Sequence, residues 1–432
     1  MSYRMGRFDN VLHHSDGSEW TLDSCLIFLL FLAALNLRPA ILQMYGEVVF
    51  LAVVGLMGAI LLLGFRARMN PRQNRFLLFS WLLCGFLIGQ SILLGTAAYR
   101  VFTTVLFIAA GSLTAVYLKE ETWHAALRAF VYPTLVFSAS YVMTNVLLFA
   151  GGFSMSDLTY YVLQLPQPGN RPFYDIRVLL PFSPMVGLGN YQLLGLDFGR
   201  AIGYMREPGI FQVVVIMSYF GLDFLELKYT KTYKALLVLC LFFTFSTAGL
   251  GAFIASYFYY HFVSKNGGRG KSLKRALAKI FSLLAVIPLA YWFVFTDLKF
   301  GLMAKLTYSS GQVRVGQYEA GYNHIMESPL VGVGFSSGVI EGGNLISIAA
   351  EVGLIGLILI LLVLVAPNVK LFKNRHPVLV LLVPAILTSL LAQPLFDKAL
   401  LYLALSLVVS YPYPSDPRPF VPSGPKARQV VA

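Results

Sequence analysis

Residues 235–263 read ALLVLCLFFTFSTAGLGAFIASYFYYHFV, an apolar run with Ser246, Thr247, Gly249 and Gly251 at its middle. It is either one long helix or two short helices folded into a hairpin. Its flanks choose between them. Lys228, Lys231 and Lys234 precede it, and Lys265, Arg269, Lys271, Lys274, Arg275 and Lys279 follow it. Basic residues beside membrane spans favour the cytoplasmic side, so both ends belong there. The run is therefore expected to form a hairpin.

The rest of the chain supports a membrane setting. Of its 432 residues 57% are hydrophobic and 12% charged, with a mean hydropathy of +0.70. A soluble domain carries about 25% charged residues, so a soluble multidomain enzyme is excluded. Aromatic content of 14% and long apolar runs exclude a disordered or fibrous chain. A crossing helix needs about 20 apolar residues. Runs that meet or approach this begin at Leu22, Val48, Phe76, Val101, Ala129, Ile210, Ile280, Leu345 and Val378, with a shorter one at Leu400. The first twenty residues are polar, and no small-residue cleavage site follows the first apolar run. A retained first helix is expected. With the hairpin, the expected fold is all-α: about twelve transmembrane helices, both termini inside.

In that arrangement 23 of the 33 Lys and Arg residues fall inside. The net charge of +13 is thus a topology signal rather than a nucleic-acid footprint. Cys25, Cys84 and Cys240 lie within apolar runs as small core residues.

Two long segments fit no span: a first outer loop, 151–208, and a second, 297–344. Long connections in a compact protein are usually functional, so chemistry is expected on these outer loops. Residues 412–432, rich in proline, read as a flexible cytoplasmic tail.

Of six histidines only His324 falls outside, and no cluster has metal-ligand spacing. No Walker loop, dinucleotide fingerprint or nucleophile elbow is present, so neither metal nor cofactor is expected. The first loop holds Arg171, Arg177, Arg200 and Arg206, the last in Tyr204-Met-Arg-Glu-Pro-Gly-Ile-Phe211 at the mouth of a span. Arg206 has two readings: an interfacial anchor paired with Glu207, or a guanidinium placed to grip a phosphate at head-group level.

In the second loop Ser309 or Ser310 can start a helix that Pro329 must stop. On its wheel Arg314, Gln317, Gly321 and His324 share an arc of about 80°, with Tyr318 beside them. The face is either solvated or a site of cation, amide, imidazole and phenol. Beyond it come Pro329-Leu-Val-Gly332-Val-Gly334, Glu341-Gly-Gly-Asn344, and a span carrying Ala349-Ala-Glu351-Val-Gly353-Leu-Ile-Gly356. A carboxylate such as Glu351 inside an apolar run needs a partner or a watery cavity. The glycines there permit close helix packing.

The order Arg314, Tyr318, Ile325, Pro329, Gly332, Gly334, then Ala349-Ala-Glu351-Val-Gly353-Leu-Ile-Gly356, resembles the signature of the O-antigen ligase/polymerase superfamily. Arg206-Glu207-Pro208-Gly209 resembles that family's arginine-containing segment before a mid-chain span. Two features depart from the pattern. Gly343-Asn344 stands where ligases commonly have His-Asn, and Ser246-Thr247-Ala248 where many members have Ser-Arg-Gly. The missing histidine favours a Wzy-type polysaccharide repeat-unit polymerase over a ligase. Among polymerases, the chain resembles the exopolysaccharide type, for instance that of xanthan repeat units.

The resemblance implies a bacterial inner-membrane glycosyltransferase that joins undecaprenyl-diphosphate-linked oligosaccharides on the periplasmic face. It implies a flippase and a chain-length regulator as pathway partners. A lipid diphosphate leaving group needs its developing charge neutralised, a role for Arg206 and Arg314, with Arg200 and Arg177 next. The acceptor hydroxyl needs a base: His324, with Glu207, Glu327 and Glu341 competing. Tyr318 and Tyr322 either stack on sugar rings or are interfacial belt residues, and Glu341, Asn344 and Glu351 are expected to bind substrate. The alternatives are an O-antigen ligase acting on lipid A-core, or a lipid-linked glycan or sugar transporter.

Overall fold

The structure, a computed structural model, describes residues 69–96, 98–118, 120–165, 174–181, 183–193, 196–205, 207–225, 227–264, 309–335, 337, 345–391, 395–396 and 398–412, with Gly55. The runs from Leu22 and Ile280, all but Gly55 of the run from Val48, and the tail 413–432 lie outside the described residues.

Most of the described chain is helical. Three long helices come first: α1 (Pro71–Leu94), α2 (Ala98–Tyr117) and α3 (Glu120–Ala150). Local chemistry fixes both ends of α1. Asn70 Oδ1 accepts from the amides of Arg72 and Gln73, each at 2.9 Å, while Gln73 Oε1 accepts from the Asn70 amide. This reciprocal cap satisfies amides that a helix start leaves unpaired. Gly95, in the left-handed region, ends the helix.

The segment after α3 corrects the all-α expectation. After a single turn, α4 (Met155–Leu158), the chain forms an antiparallel meander: β1 (Thr159–Leu165), β2 (Tyr174–Leu179), β3 (Ser183–Leu193) and β4 (Leu196–Ala201). The reason is an alternating pattern too short to be a span. On β2 Ile176 and Val178 are buried, and Arg177 between them is exposed. Hydroxyls on α3 fasten the sheet: Tyr141 donates to Gly199 O at 2.8 Å and Thr144 to Leu180 O at 2.9 Å.

There follow α5 (Pro208–Gly221), α6 (Thr230–Phe242), α7 (Thr247–Phe258), α8 (Ser309–Glu327), α9 (Leu345–Val365), the single turn α10 (Val369–Lys373), α11 (Val383–Leu391) and α12 (Ala399–Val409). The run 235–263 is two helices, α6 and α7, broken at 243–246. A single straight helix would separate Lys234 from Tyr260 by about 39 Å. Yet Lys234 Nζ lies 2.7 Å from the Asp223 carboxylate, and Tyr260 hydrogen-bonds the same group. The chain therefore goes out and returns, as a hairpin.

Among the described residues, four helices are long and apolar enough to cross a membrane: 71–94, 100–117, 122–150 and 345–373. They keep large apolar side chains exposed, with Ile92 and Leu93 more than three-quarters so. The shorter apolar helices are enclosed instead. Every residue of α12 is buried, as is nearly all of α5, and a helix apolar all round belongs inside. Gly111 lets α2 meet α12 closely, since a Cβ there would come within 2.5 Å of Tyr402 Cβ.

The bundle has two chemically distinct ends. At one, Arg72 donates to the Tyr411 carbonyl, Trp123 Nε1 donates to Leu407 O at 2.7 Å, and Lys234 pairs with Asp223. The other carries the sheet and the α6–α7 bend.

His376, in the connection after α10, accepts through Nδ1 from the Val378 amide at 3.2 Å. Burial, and then the nearby Arg72 charge, push its pKa down to about 4. The unfolded chain takes up that proton below about pH 6.5, but the folded chain only below about pH 4. This contribution to stability is present above pH 6.5 and is lost as the pH falls toward 4. His376→Asn keeps an acceptor for Val378. In thermal unfolding of the detergent-purified protein between pH 7 and 4.5, it is expected to flatten the fall in midpoint that the wild type shows. Equal slopes would refute the assignment.

Candidate functional site

Helix α9 is broken where its sequence looks continuous. Gly353 takes φ 63°, ψ −172° within it. A break leaves backbone groups unpaired, and here the segment after α8 pairs them. Leu354 N donates to Pro329 O at 2.9 Å and Ile355 N to Leu330 O at 3.1 Å. In return Val333 N donates to Ala350 O at 2.9 Å and Gly334 N to Glu351 O at 3.1 Å. Residues 329–334 are thus inserted into the break.

The fit demands glycine on both sides. A Cβ on Gly332 would come within 2.4 Å of Glu351 O, and one on Gly353 within 2.5 Å of Gly332 N. Gly332 also has φ 79°, a region costly for residues with a Cβ. Gln90, buried on α1, completes the join. Its Nε2 donates to Val331 O and Glu351 O, and its Oε1 accepts from Phe335 N at 3.0 Å. Sequence reasoning missed Gln90; the available signal was an amide inside an otherwise apolar helical run.

Helix α8 runs from Ser309 to Glu327, as the serines and Pro329 foretell. The face grouped by the wheel turns toward α9, because Gly321 is buried and a Cβ on it would lie 2.9 Å from Ile346 Cγ2. His324 is partly buried, its Nδ1 2.8 Å from Glu327 Oε2. If Nδ1 carries the proton, the carboxylate fixes the ring and Nε2 is an acceptor. Tyr318 and Tyr322 are exposed on the same helix. Arg314 lies on α8, but its side chain is outside what is described, as are Glu341 and Asn344 altogether. Glu351 is half-buried two residues before the break.

The first-loop candidates form a separate group. Arg200, on β4, donates through Nε to Thr244 O at 2.8 Å, while Ala201 N donates to Phe243 O at 3.1 Å. The sheet is thereby tied to the α6–α7 bend. Glu207 is the N-cap residue of α5, half-buried, with its carbonyl accepting from Ile210 N and Phe211 N. Arg177 is exposed on β2, opposite Met185. Arg206 lies outside the described residues. Among the described residues no group of three or more His, Cys, Asp or Glu is arranged to hold a metal ion.

Comparison of the chain with models of protein families, with curated proteins and with solved structures finds no match.

Replacing Gln90 by Leu leaves Phe335 N and two carbonyls without that partner. Unsatisfied buried groups cost about 1–3 kcal/mol each, so the unfolding midpoint is expected to fall. Amide exchange should quicken locally at 331–335. Unchanged exchange there would show that Gln90 does not hold the inserted segment.

Proposed function

We propose that the protein is a polysaccharide repeat-unit polymerase of the bacterial inner membrane, with about twelve spans and its active site on the periplasmic side. One observation carries this reading. Pro329, Gly332 and Gly334 from one stretch, and Glu351 and Gly353 from the next, all part of the resemblance, form one interlocked unit at the base of α8. That helix carries Arg314, Tyr318, Tyr322 and His324.

The donor is a glycan on undecaprenyl diphosphate, and the acceptor is a hydroxyl of a second lipid-linked repeat unit. The acceptor oxygen forms the new bond to the donor's anomeric carbon. The bond from that carbon to the diphosphate breaks, and its electron pair leaves with the lipid diphosphate. His324, steadied by Glu327, takes the acceptor's proton. Arg314 and Arg206 neutralise the departing charge, with Arg200 and Arg177 flanking. Tyr318 and Tyr322 stack on sugar rings; Glu207, Glu341, Asn344 and Glu351 line the glycan path. A flippase delivers the donor and a chain-length regulator sets the product size.

Purified protein reconstituted with undecaprenyl-diphosphate-linked repeat units is expected to yield a ladder of longer lipid-linked glycans without any nucleotide. Arg314→Ala should abolish the ladder while the protein stays in the membrane, and His324→Ala should slow it at least 100-fold. Transfer only to added lipid A-core would instead mean a ligase. Lipid movement between leaflets without a ladder would mean transport. A normal ladder from Arg314→Ala would remove that residue from the mechanism.

A further inference from the structure

Gln212 is wholly buried, and neither its Nε2 nor its Oε1 has a hydrogen-bond partner. Buried amides are nearly always paired, so this one calls for a physical cause. It stands in the second turn of α5, and its amide lies against the first turn of α7. A Cβ built on Gly249 would come within 2.1 Å of Gln212 Oε1. Glycine at that position is what leaves room for the amide.

Two helix starts meet here. Helices α5 and α7 run in parallel: Gln212 meets Gly249 near their starts, and Phe220 lies 6.2 Å from Phe253 and 5.3 Å from Tyr260 further along, centroid to centroid. Both positive dipole ends therefore face the sheet end of the bundle. Glu207, the N-cap residue of α5, brings a carboxylate to that helix. Ser246, the N-cap residue of α7, is buried, and its side chain makes no capping bond. The turn before it is held in an unusual shape, since Phe245 is buried with φ 46°, an uncommon conformation for a bulky residue that tends to mark functional sites. Arg200 reaches this bend, its Nε bonded to Thr244 O.

We propose that the α6–α7 bend binds a phosphate-class anion, held at the start of α7 by backbone amides and the Gln212 side chain, with the Arg200 guanidinium beside it. A helix start suits phosphate oxygens. The orphaned amide narrows the chemistry further. Nε2 donates to a phosphoryl oxygen, while Oε1 accepts the proton of a hydrogen phosphate or of a hydroxyl next to the phosphoryl group. Chloride and sulfate at neutral pH accept but have no proton to give, so they satisfy only half of the amide. The inference deepens the polymerase reading by giving the carrier's diphosphate a cradle, and it rests on that reading only for the identity of the carrier.

The test uses the full-length protein purified in detergent and titrated with pyrophosphate, orthophosphate and sulfate at constant ionic strength. Thermal midpoint and phosphorus line broadening are the readouts. Saturable binding of pyrophosphate, with sulfate at least tenfold weaker, is expected. Gln212→Leu should raise the pyrophosphate Kd at least tenfold without lowering the midpoint of the ligand-free protein, because an apolar side chain suits that buried position. Gly249→Ala, whose Cβ would meet Gln212 at Oε1 (2.1 Å), Cδ (2.7 Å) and Cβ (3.1 Å) and so displace the amide, should weaken binding in the same way and serves if the first variant fails to accumulate. Absence of saturable binding, or wild-type affinity in both variants, would overturn the proposal.

Competition by a polyprenyl diphosphate in the same micelles would mark the anion as a lipid head group. Pyrophosphate binding that such a lipid does not disturb would mark it as a free phosphate, keeping the site but cutting its link to the carrier. Binding that persists while no glycan ladder forms would remove the polymerase and leave the anion site standing.

Discussion

Every backbone amide and carbonyl in an apolar environment must find its partner within the protein, because water is not there to substitute. A continuous helix meets this condition by itself, so each departure from helix needs a named remedy. At Gly353 the remedy is another piece of chain: residues 329–334 accept the bonds of Leu354 and Ile355 and return their own to Ala350 and Glu351. The exchange works only if the two backbones nearly touch, which Gly332 and Gly353 allow. One interaction thereby ties α8, the inserted segment, α9 and, through Gln90, α1 into a unit.

That unit explains how a polar helix can be held firmly at the edge of an apolar bundle. Helix α8 has little apolar surface of its own to bury. Its position is set by Gly321 against Ile346 at one point and by the inserted segment at its end. The side chains of His324 and Glu327 are thus carried on an element whose placement does not depend on their own contacts. Precise sites need such support from groups that take no part in the chemistry. The sheet is secured by the same logic, through hydroxyls of α3 and the Arg200 bond to the bend.

Much of this was legible in the sequence where charge or punctuation spoke. Lysines on both flanks foretold the hairpin, and both its ends do meet at Asp223. Serines and Pro329 bounded α8. The length of apolar runs does not announce the sheet, because its strands are too short to be spans, although Ile176-Arg177-Val178 alternates as a strand does. The break at Gly353 was hidden inside an unbroken apolar run, where glycine has a commoner reason to occur. Gln90 stands out as an amide in an apolar run, but its partners cannot be read from that: Val331 and Glu351 lie 241 and 261 residues away. Pairing across such distances leaves no periodicity to read.

Gln90 and Gln212 make an instructive contrast, since each is an amide within an apolar helix beside a break in another. Gln90 has every function answered, two carbonyls for its Nε2 and an amide for its Oε1. It behaves as a seal, and a seal leaves nothing for a ligand. Gln212 faces the other break, between α6 and α7, with both ends unanswered. An apolar side chain of similar size would fill that volume without the desolvation cost of an unpaired amide. The break at Gly353 is closed by the protein's own backbone; the bend at 243–246 has the groups to be completed by an anion.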